Sequence, residues 1–177
     1  PGVEWLQWND TFRDDVRAFV RGDEGMVGRL ATRLYGSSDQ FPDERLDAYH
    51  AFQSVNLVTA HDGFCLYDLV SYNRKHNLAN GEENRDGTDY NLSWNCGWEG
   101  DIGAPPAVLA LRKQQVRNFC CLLFLANGTP MFCAGDEFLQ TQGGNNNPYN
   151  QDNETTWLDW DLLKENADIF RFFRMMI

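Results

Sequence analysis

The chain has 177 residues, 42% of them hydrophobic and 14% aromatic, which is one domain's worth of sequence with ample apolar side chain for a packed core. Fifteen Lys and Arg against 26 Asp and Glu leave a net charge of −11, a sign that repels phosphate backbones and anionic lipid surfaces and argues against nucleic acid or membrane as partners. The five cysteines, Cys65, Cys96, Cys120, Cys121 and Cys133, lack C-x-x-C spacing and fall mostly in apolar runs, so they read as reduced, buried thiols of a reducing compartment. Six Trp and six Tyr suit a core, their more frequent use, or a face that stacks on neutral, hydroxyl-rich ligands. The sequence has no apolar stretch of about 18 residues and no basic, apolar leader. It opens at Pro1 without Met and stops at Ile177 within an apolar helical run, so a longer parent is expected.

Residues 3 to 8, VEWLQW, alternate well enough to predict a short strand, with Asn9-Asp10 as turn and helix N-cap. Phe12, Val16, Phe19 and Val20 then fall on one helical face that ends near Gly22. Residues 23 to 54 carry a weaker helical pattern (Met26, Val27, Leu30, Leu34), a Gly-Ser-Ser turn, and a polar loop through Pro42 to His50, where His50 is expected to be exposed or packed on its loop. The stretch VNLVTAHDGF, residues 55 to 64, organises the rest. Its nearly continuous apolar run predicts a strand covered on both faces, cut off at His61-Asp62 and Gly63. Phe64, Leu66, Leu69 and Val70 predict a helix that follows to about His76, itself expected to be a satisfied structural histidine. His61-Asp62 therefore marks the C-terminal edge of a parallel strand, the edge where α/β folds do their chemistry. The plainer alternative is that the pair only hydrogen-bonds a turn.

Residues 77 to 107 are a long polar loop, a length that usually covers an active site when ordered. Asn84, Asp86 and Gly87 faintly resemble a calcium loop, but Ser93 stands where a bidentate Glu is required, so no metal is assigned. Trp94 and Trp98 lie in this loop and are candidates for a sugar-stacking surface. Pro105-Pro106 opens a helix predicted over residues 107 to about 126, apolar all round and deeply buried from Phe119, with Gly128 as its terminator. Residues 130 to 133 predict a third short buried strand that ends on a second carboxylate pair, Asp136-Glu137, just past a glycine. An Asn-rich loop (144 to 160) precedes a final helix from Asp161 with Ile169, Phe170, Phe173 and Met176 on one side. Three strand-helix units in succession argue a parallel α/β fold. Long loops on one rim, without G-x-G-x-x-G or P-loop spacing, favour part of a (β/α)8 TIM-type barrel over a nucleotide-binding sheet.

Several segments together resemble the isoamylase and bacterial glycogen-debranching branch of the α-amylase superfamily, glycoside hydrolase family 13, over nearly all of the chain. WNDTFRDDVRAFVRG (8 to 22) looks like that barrel's sixth strand-to-helix turn, and VTAHDGF (58 to 64) like its seventh-strand motif. DLVSYNRKHNLANGEENRDGTDYNLSWNCGWEG (68 to 100) resembles a subgroup signature, GTPMFCAGDEF (128 to 138) the eighth strand, whose Asp136-Glu137 pair the resemblance implies to be chiefly structural, and GNNNPYNQDNETTWLDW extends the match. The resemblance implies strand-helix units six to eight, so that residues 1–177 form the C-terminal half of a catalytic barrel domain with no separate second domain. It implies a retaining hydrolase of α-1,6 branch points in glycogen, amylopectin or limit dextrin, without cofactor. Asp62 takes the place of the transition-state stabiliser and His61 of a sugar-hydroxyl contact, while nucleophile and general acid are expected upstream of Pro1. The chain alone is then expected to be inactive, and its unpaired sheet edges imply self-association. Cytoplasm is the expected compartment, with plastid as the alternative. The competing reading is a non-catalytic α-glucan-binding or regulatory relative.

Overall fold

The first strand, β1, covers Gln7–Asn9 and leads without a break into helix α1, Asp10–Arg21. A computed structural model of the chain describes residues 5–41 and 50–177, so part of the strand predicted over residues 3 to 8 and most of the polar loop after Pro42 lie outside the described residues. The described part of that strand is shorter than expected and displaced toward Asn9. Asn9 caps α1 as anticipated, its Oδ1 accepting from the Phe12 amide at 2.8 Å, and Gly22 ends the helix in the left-handed conformation. Helix α2, Met26–Leu34, follows. Among the described residues the remaining strands are β2 (Ser54–Leu57) and β3 (Thr129–Met131), and the three form one parallel sheet in the order β1-β2-β3. The α/β class is therefore as predicted.

The described residues fall into two compact units, the first drawn from Pro1–Val58 with Phe119–Phe132, the second from Thr59–Asn118 with Cys133–Ile177. In the first unit, register sets Asn9 beside Asn56 and Val55 beside Thr129. Polar side chains knit the strands: Asn9 Nδ2 donates to Ser37 and Ser54 Oγ at 2.9 Å, Ser54 Oγ donates to Asn56 Oδ1 at 2.7 Å, and Asn56 Nδ2 donates to the Asn127 carbonyl at 3.1 Å. The last contact explains Gly128, where a Cβ would lie 2.4 Å from Asn56 Nδ2. Gly128 serves this close approach and does not terminate the preceding helix, which stops at Leu125. β2 is buried throughout, whereas β3, predicted to be buried, is half-exposed with Pro130 open. Among the described residues β1 and β3 pair with β2 alone, so only the central strand is flanked on both sides. Buried Asp15 of α1 pairs with Arg29 at 2.5 Å and with buried Arg33 of α2 at 3.3 Å.

Helix α4, Pro106–Leu125, starts as the prolines predict. Its last turns are less buried than their composition implied: Phe119, Cys120 and Leu123 are buried, but Leu125 is 72% exposed. An all-round apolar helix is buried only on the side that a neighbouring element covers. In the second unit the helix predicted to run to His76 is one turn, α3 (Leu66–Leu69). The predicted last helix is two, α5 (Leu162–Glu165) and α6 (Ala167–Met176), broken at Asn166, whose amide donates to the Phe138 carbonyl at 3.3 Å. Ile169 and Phe173 are buried as expected. None of the five cysteines is in a disulfide, and Cys121 and Cys133 are only half-buried. No helix among the described residues is long and apolar enough to cross a membrane.

Candidate active site

The second unit begins with the turn that carries the candidate pair. Just before it, in the first unit, Arg17 Nε and Nη2 donate to the Val58 carbonyl at 2.9 and 2.6 Å and hold the strand's exit. His61 Nε2 lies 3.4 Å from Asp62 Oδ2, and the two side chains are 74% and 83% exposed. Open side chains on a loosely held turn would be unsuited to binding, but this turn is fastened along its backbone. The Gly63 amide donates to the Asn146 carbonyl at 2.9 Å, Phe64 is fully buried, and the Leu66 amide donates to Asp136 Oδ1 at 2.9 Å. On the other side, Thr59 Oγ1 donates to Asp136 Oδ2 at 2.5 Å.

Asp136 also accepts from the Cys133 amide at 3.1 Å, which makes it a structural carboxylate as expected. Burial pushes its carboxyl up to about 6, against the hydrogen bonds that favour the ion. Glu137 turns back to accept from the Gly135 amide at 2.8 Å. The sequence reading passed over Thr59, Asn146 and Asp136 as parts of one device. The available signal was Thr59, a polar residue closing an apolar run, and Asp136 directly after a glycine at a strand's end.

Asn146 is held in turn by the two polar loops. Asn77 Nδ2 donates to Asn146 Oδ1 at 2.8 Å while the Asn146 amide donates to Asn77 Oδ1 at 3.0 Å. Asn146 Nδ2 reaches Asn91 Oδ1 at 2.9 Å and the Thr88 carbonyl at 2.8 Å. Asn145 Nδ2 donates to Asn80 Oδ1 at 2.8 Å, and Asp86 Oδ2 accepts from the amides of Asn80 and Asn147 at 2.7 and 3.0 Å. Asp86 is thus engaged by neutral amide donors. Asp68 on α3, fully buried, accepts from Thr141 Oγ1 at 2.5 Å and from the Gln142 and Gly144 amides at 2.9 and 3.0 Å. Gly144 is obligatory there: at φ 79° a Cβ would meet Tyr72 at 2.8 Å and His76 at 2.9 Å. His76 is satisfied as predicted, with its amide on the Gly144 carbonyl at 2.7 Å and its Nε2 3.3 Å from Glu99 Oε1.

The aromatic candidates lie further along the first of these loops. Trp94 is half-buried, its amide donating to the Leu69 carbonyl at 3.1 Å. Trp98 is 41% exposed, and its indole N–H is committed to the Ile102 carbonyl at 3.1 Å, which leaves ring surface and no donor to offer a ligand. Arg112, fully buried on α4, gathers this loop through Asp101 Oδ1 at 2.5 Å and the carbonyls of Asn95 and Trp98. A solvated carboxylate beside an imidazole on a fixed turn can accept and donate hydrogen bonds to a hydroxyl-bearing ligand.

The chain is 52% identical over 174 residues to the glycogen operon protein GlgX homolog of Mycobacterium tuberculosis, covering 98% of this chain and 23% of that protein. It is 47% identical over 173 residues to the chloroplastic isoamylase SU1 of Zea mays, covering 97% of this chain and 21% of that protein. The chain thus spans less than a quarter of the length of these curated relatives. Among solved structures, the pullulanase of Bacillus acidopullulyticus matches 97% of this chain and 18% of its own with a TM-score of 0.67 at 21% identity. The pullulanase of Paenibacillus barengoltzii in complex with maltohexaose and alpha-cyclodextrin matches 97% of this chain and 23% of its own with a TM-score of 0.64 at 21% identity, a likeness of fold. No protein-family model matches the chain.

Proposed function

We propose, from the premise that this chain belongs to the isoamylase and GlgX type of the α-amylase superfamily, that its parent protein is a debranching glycoside hydrolase. In this reading β1, β2 and β3 are the sixth to eighth strands of a (β/α)8 barrel, and residues 1–177 are the C-terminal half of one catalytic domain. The substrate is a branched α-glucan, glycogen or a starch-like polymer, cut at α-1,6 linkages with retention. The compartment is the cytoplasm or, as for the chloroplastic isoamylase of Zea mays, a plastid.

Retention requires a carboxylate nucleophile and a carboxylic acid about 5 Å apart. Both are assigned to sequence upstream of Pro1, so the 177-residue chain by itself is expected to hydrolyse nothing. Asp62 acts as an ionised acceptor of sugar hydroxyls that favours the distorted, oxocarbenium-like ring, and His61 donates to a hydroxyl beside it. Contacts of this kind raise the rate only if they tighten in the transition state. Trp94 and Trp98 supply stacking surface for further glucose units. The observation that carries the reading is the His61-Asp62 turn, whose backbone is pinned while both side chains stay open.

The test is Asp62→Ala in the full-length protein, assayed by release of linear chains from glycogen. Debranching is expected to fall by at least about 100-fold, the scale of losing one preorganised electrostatic contact. Wild-type turnover in the variant would sink the assignment, and a wild-type protein that binds glycogen without cutting it would sink the hydrolase reading altogether.

A further inference from the structure

We infer that Asp136 is the positioning residue of the His61-Asp62 turn, acting through Thr59 and Leu66 to set the direction in which Asp62 meets the substrate. The inference rests on the reading of Asp62 as a substrate-facing carboxylate and goes beyond it by assigning the group that aims it.

Thr59 and Leu66 stand on either side of the pair in sequence, and one carboxylate receives both, Oδ2 from the Thr59 hydroxyl at 2.5 Å and Oδ1 from the Leu66 amide at 2.9 Å. The loop between them is closed as if by a clasp. The Cys133 amide, at 3.1 Å from Oδ2, ties that clasp to the residues just after β3. The Gly63 amide on the Asn146 carbonyl adds a second fixed point inside the loop. Asp136 is 1% exposed and Asp62 is open to solvent, so the two carboxylates divide the labour: the buried one shapes the turn and the exposed one faces the ligand. A buried carboxylate is costly unless its lone pairs are met, and here three donors meet them. A merely space-filling role would be served as well by a neutral apolar side chain of the same size.

Thr59→Val in the full-length protein removes the hydroxyl donor with little change of shape, and Thr59→Ser restores it. The positioning role predicts that Thr59→Val lowers kcat by about 10-fold or more with KM nearly unchanged, because a shift of order 1 Å in a reacting group costs up to about 100-fold. Thr59→Ser is expected to recover most of the loss, and Asp136→Asn, which keeps the shape but replaces one acceptor oxygen by a donor, to lower kcat at least as far as Thr59→Val. If Asp136→Asn fails to fold, the Thr59 pair decides. Variants that melt at lower temperature but keep wild-type kcat per folded molecule would overturn the inference. Asp62→Ala, run alongside, separates the two claims. Its retention of activity overturns the site and the positioning role together; its loss beside an unaltered kcat in Thr59→Val overturns the positioning role alone.

Discussion

Two buried aspartates of the second unit show how loss of solvent makes a carboxyl respond to pH. Asp136 is buried, its carboxyl pushed up to about 6 from a usual 3.8 by loss of solvent, with the nearby charge of Glu137 adding in the same direction. Because the folded value lies above the unfolded one, the folded chain holds the extra proton between about pH 4 and 6. This group's contribution to stability therefore grows as the pH falls through 6 and is lost as it rises again, by on the order of 3 kcal/mol. Asp68, buried as deeply and raised by the same cause, acts with the same sign. Glu99 opposes them: burial raises its carboxyl, but donors from Asn73, Asn95 and Arg74 outweigh that and hold it below the usual value, so its contribution fades on acidification below about 4.5. Thermal midpoints are expected to be higher at pH 5.5 than at pH 8, and Asp136→Asn is expected to flatten that difference. A midpoint that rises steadily toward pH 8 would contradict the burial cost. His61-Asp62 was legible in sequence because an apolar run stops there. The clasp was not, since Thr59 and Leu66 lie 77 and 70 residues from Asp136 along the chain.

At the level of elements, the main departure from expectation is α3. The sequence predicts it to run to about His76, yet the helix ends at Leu69 because the carbonyls and amides that follow are claimed elsewhere. The Leu69 carbonyl accepts from Trp94, the Ser71 carbonyl from Gly100, and the Asn73 and Arg74 amides donate to Glu99. Periodicity reports which side chains want burial, not which backbone groups have a better partner in a distant loop. Arg112 is the keystone of that loop, and Arg112→Met would leave Asp101 without its guanidinium and take one donor from each of the Ser71, Asn95 and Trp98 carbonyls. Because Asp101 is half-exposed and stays solvated, a destabilisation of about 1–3 kcal/mol is expected, the scale of a buried acceptor that loses its donor, read as a lowered unfolding midpoint with a red-shifted tryptophan emission. Arg112→Lys is expected to recover little, because one ammonium cannot span the fork. An unchanged midpoint in Arg112→Met would show that the loop is held by its turns alone.

For the whole chain, the apolar residues left open in the first unit set the expectation. Trp5, Leu6, Phe52 and Leu125 are all more than half exposed, and β1 and β3 pair with β2 alone among the described residues. Such edges and patches recruit other chains. Under the proposed function the 177-residue chain expressed alone is expected to sediment as oligomers or aggregates, and a monodisperse, cooperatively unfolding monomer would count against the half-barrel assignment. The sequence by itself determined the parallel α/β class, helices α1, α2 and α4, the buried central strand and the candidate pair. Each of these follows from local periodicity, caps or the abrupt end of an apolar run. Only the tertiary structure decided the length of α3, the exposure of Leu125 and β3, the pairing of Asn77 with Asn146 and the closure of the turn by Asp136. Those depend on contacts between residues far apart in the chain, and no local pattern encodes which distant donor will reach a given acceptor.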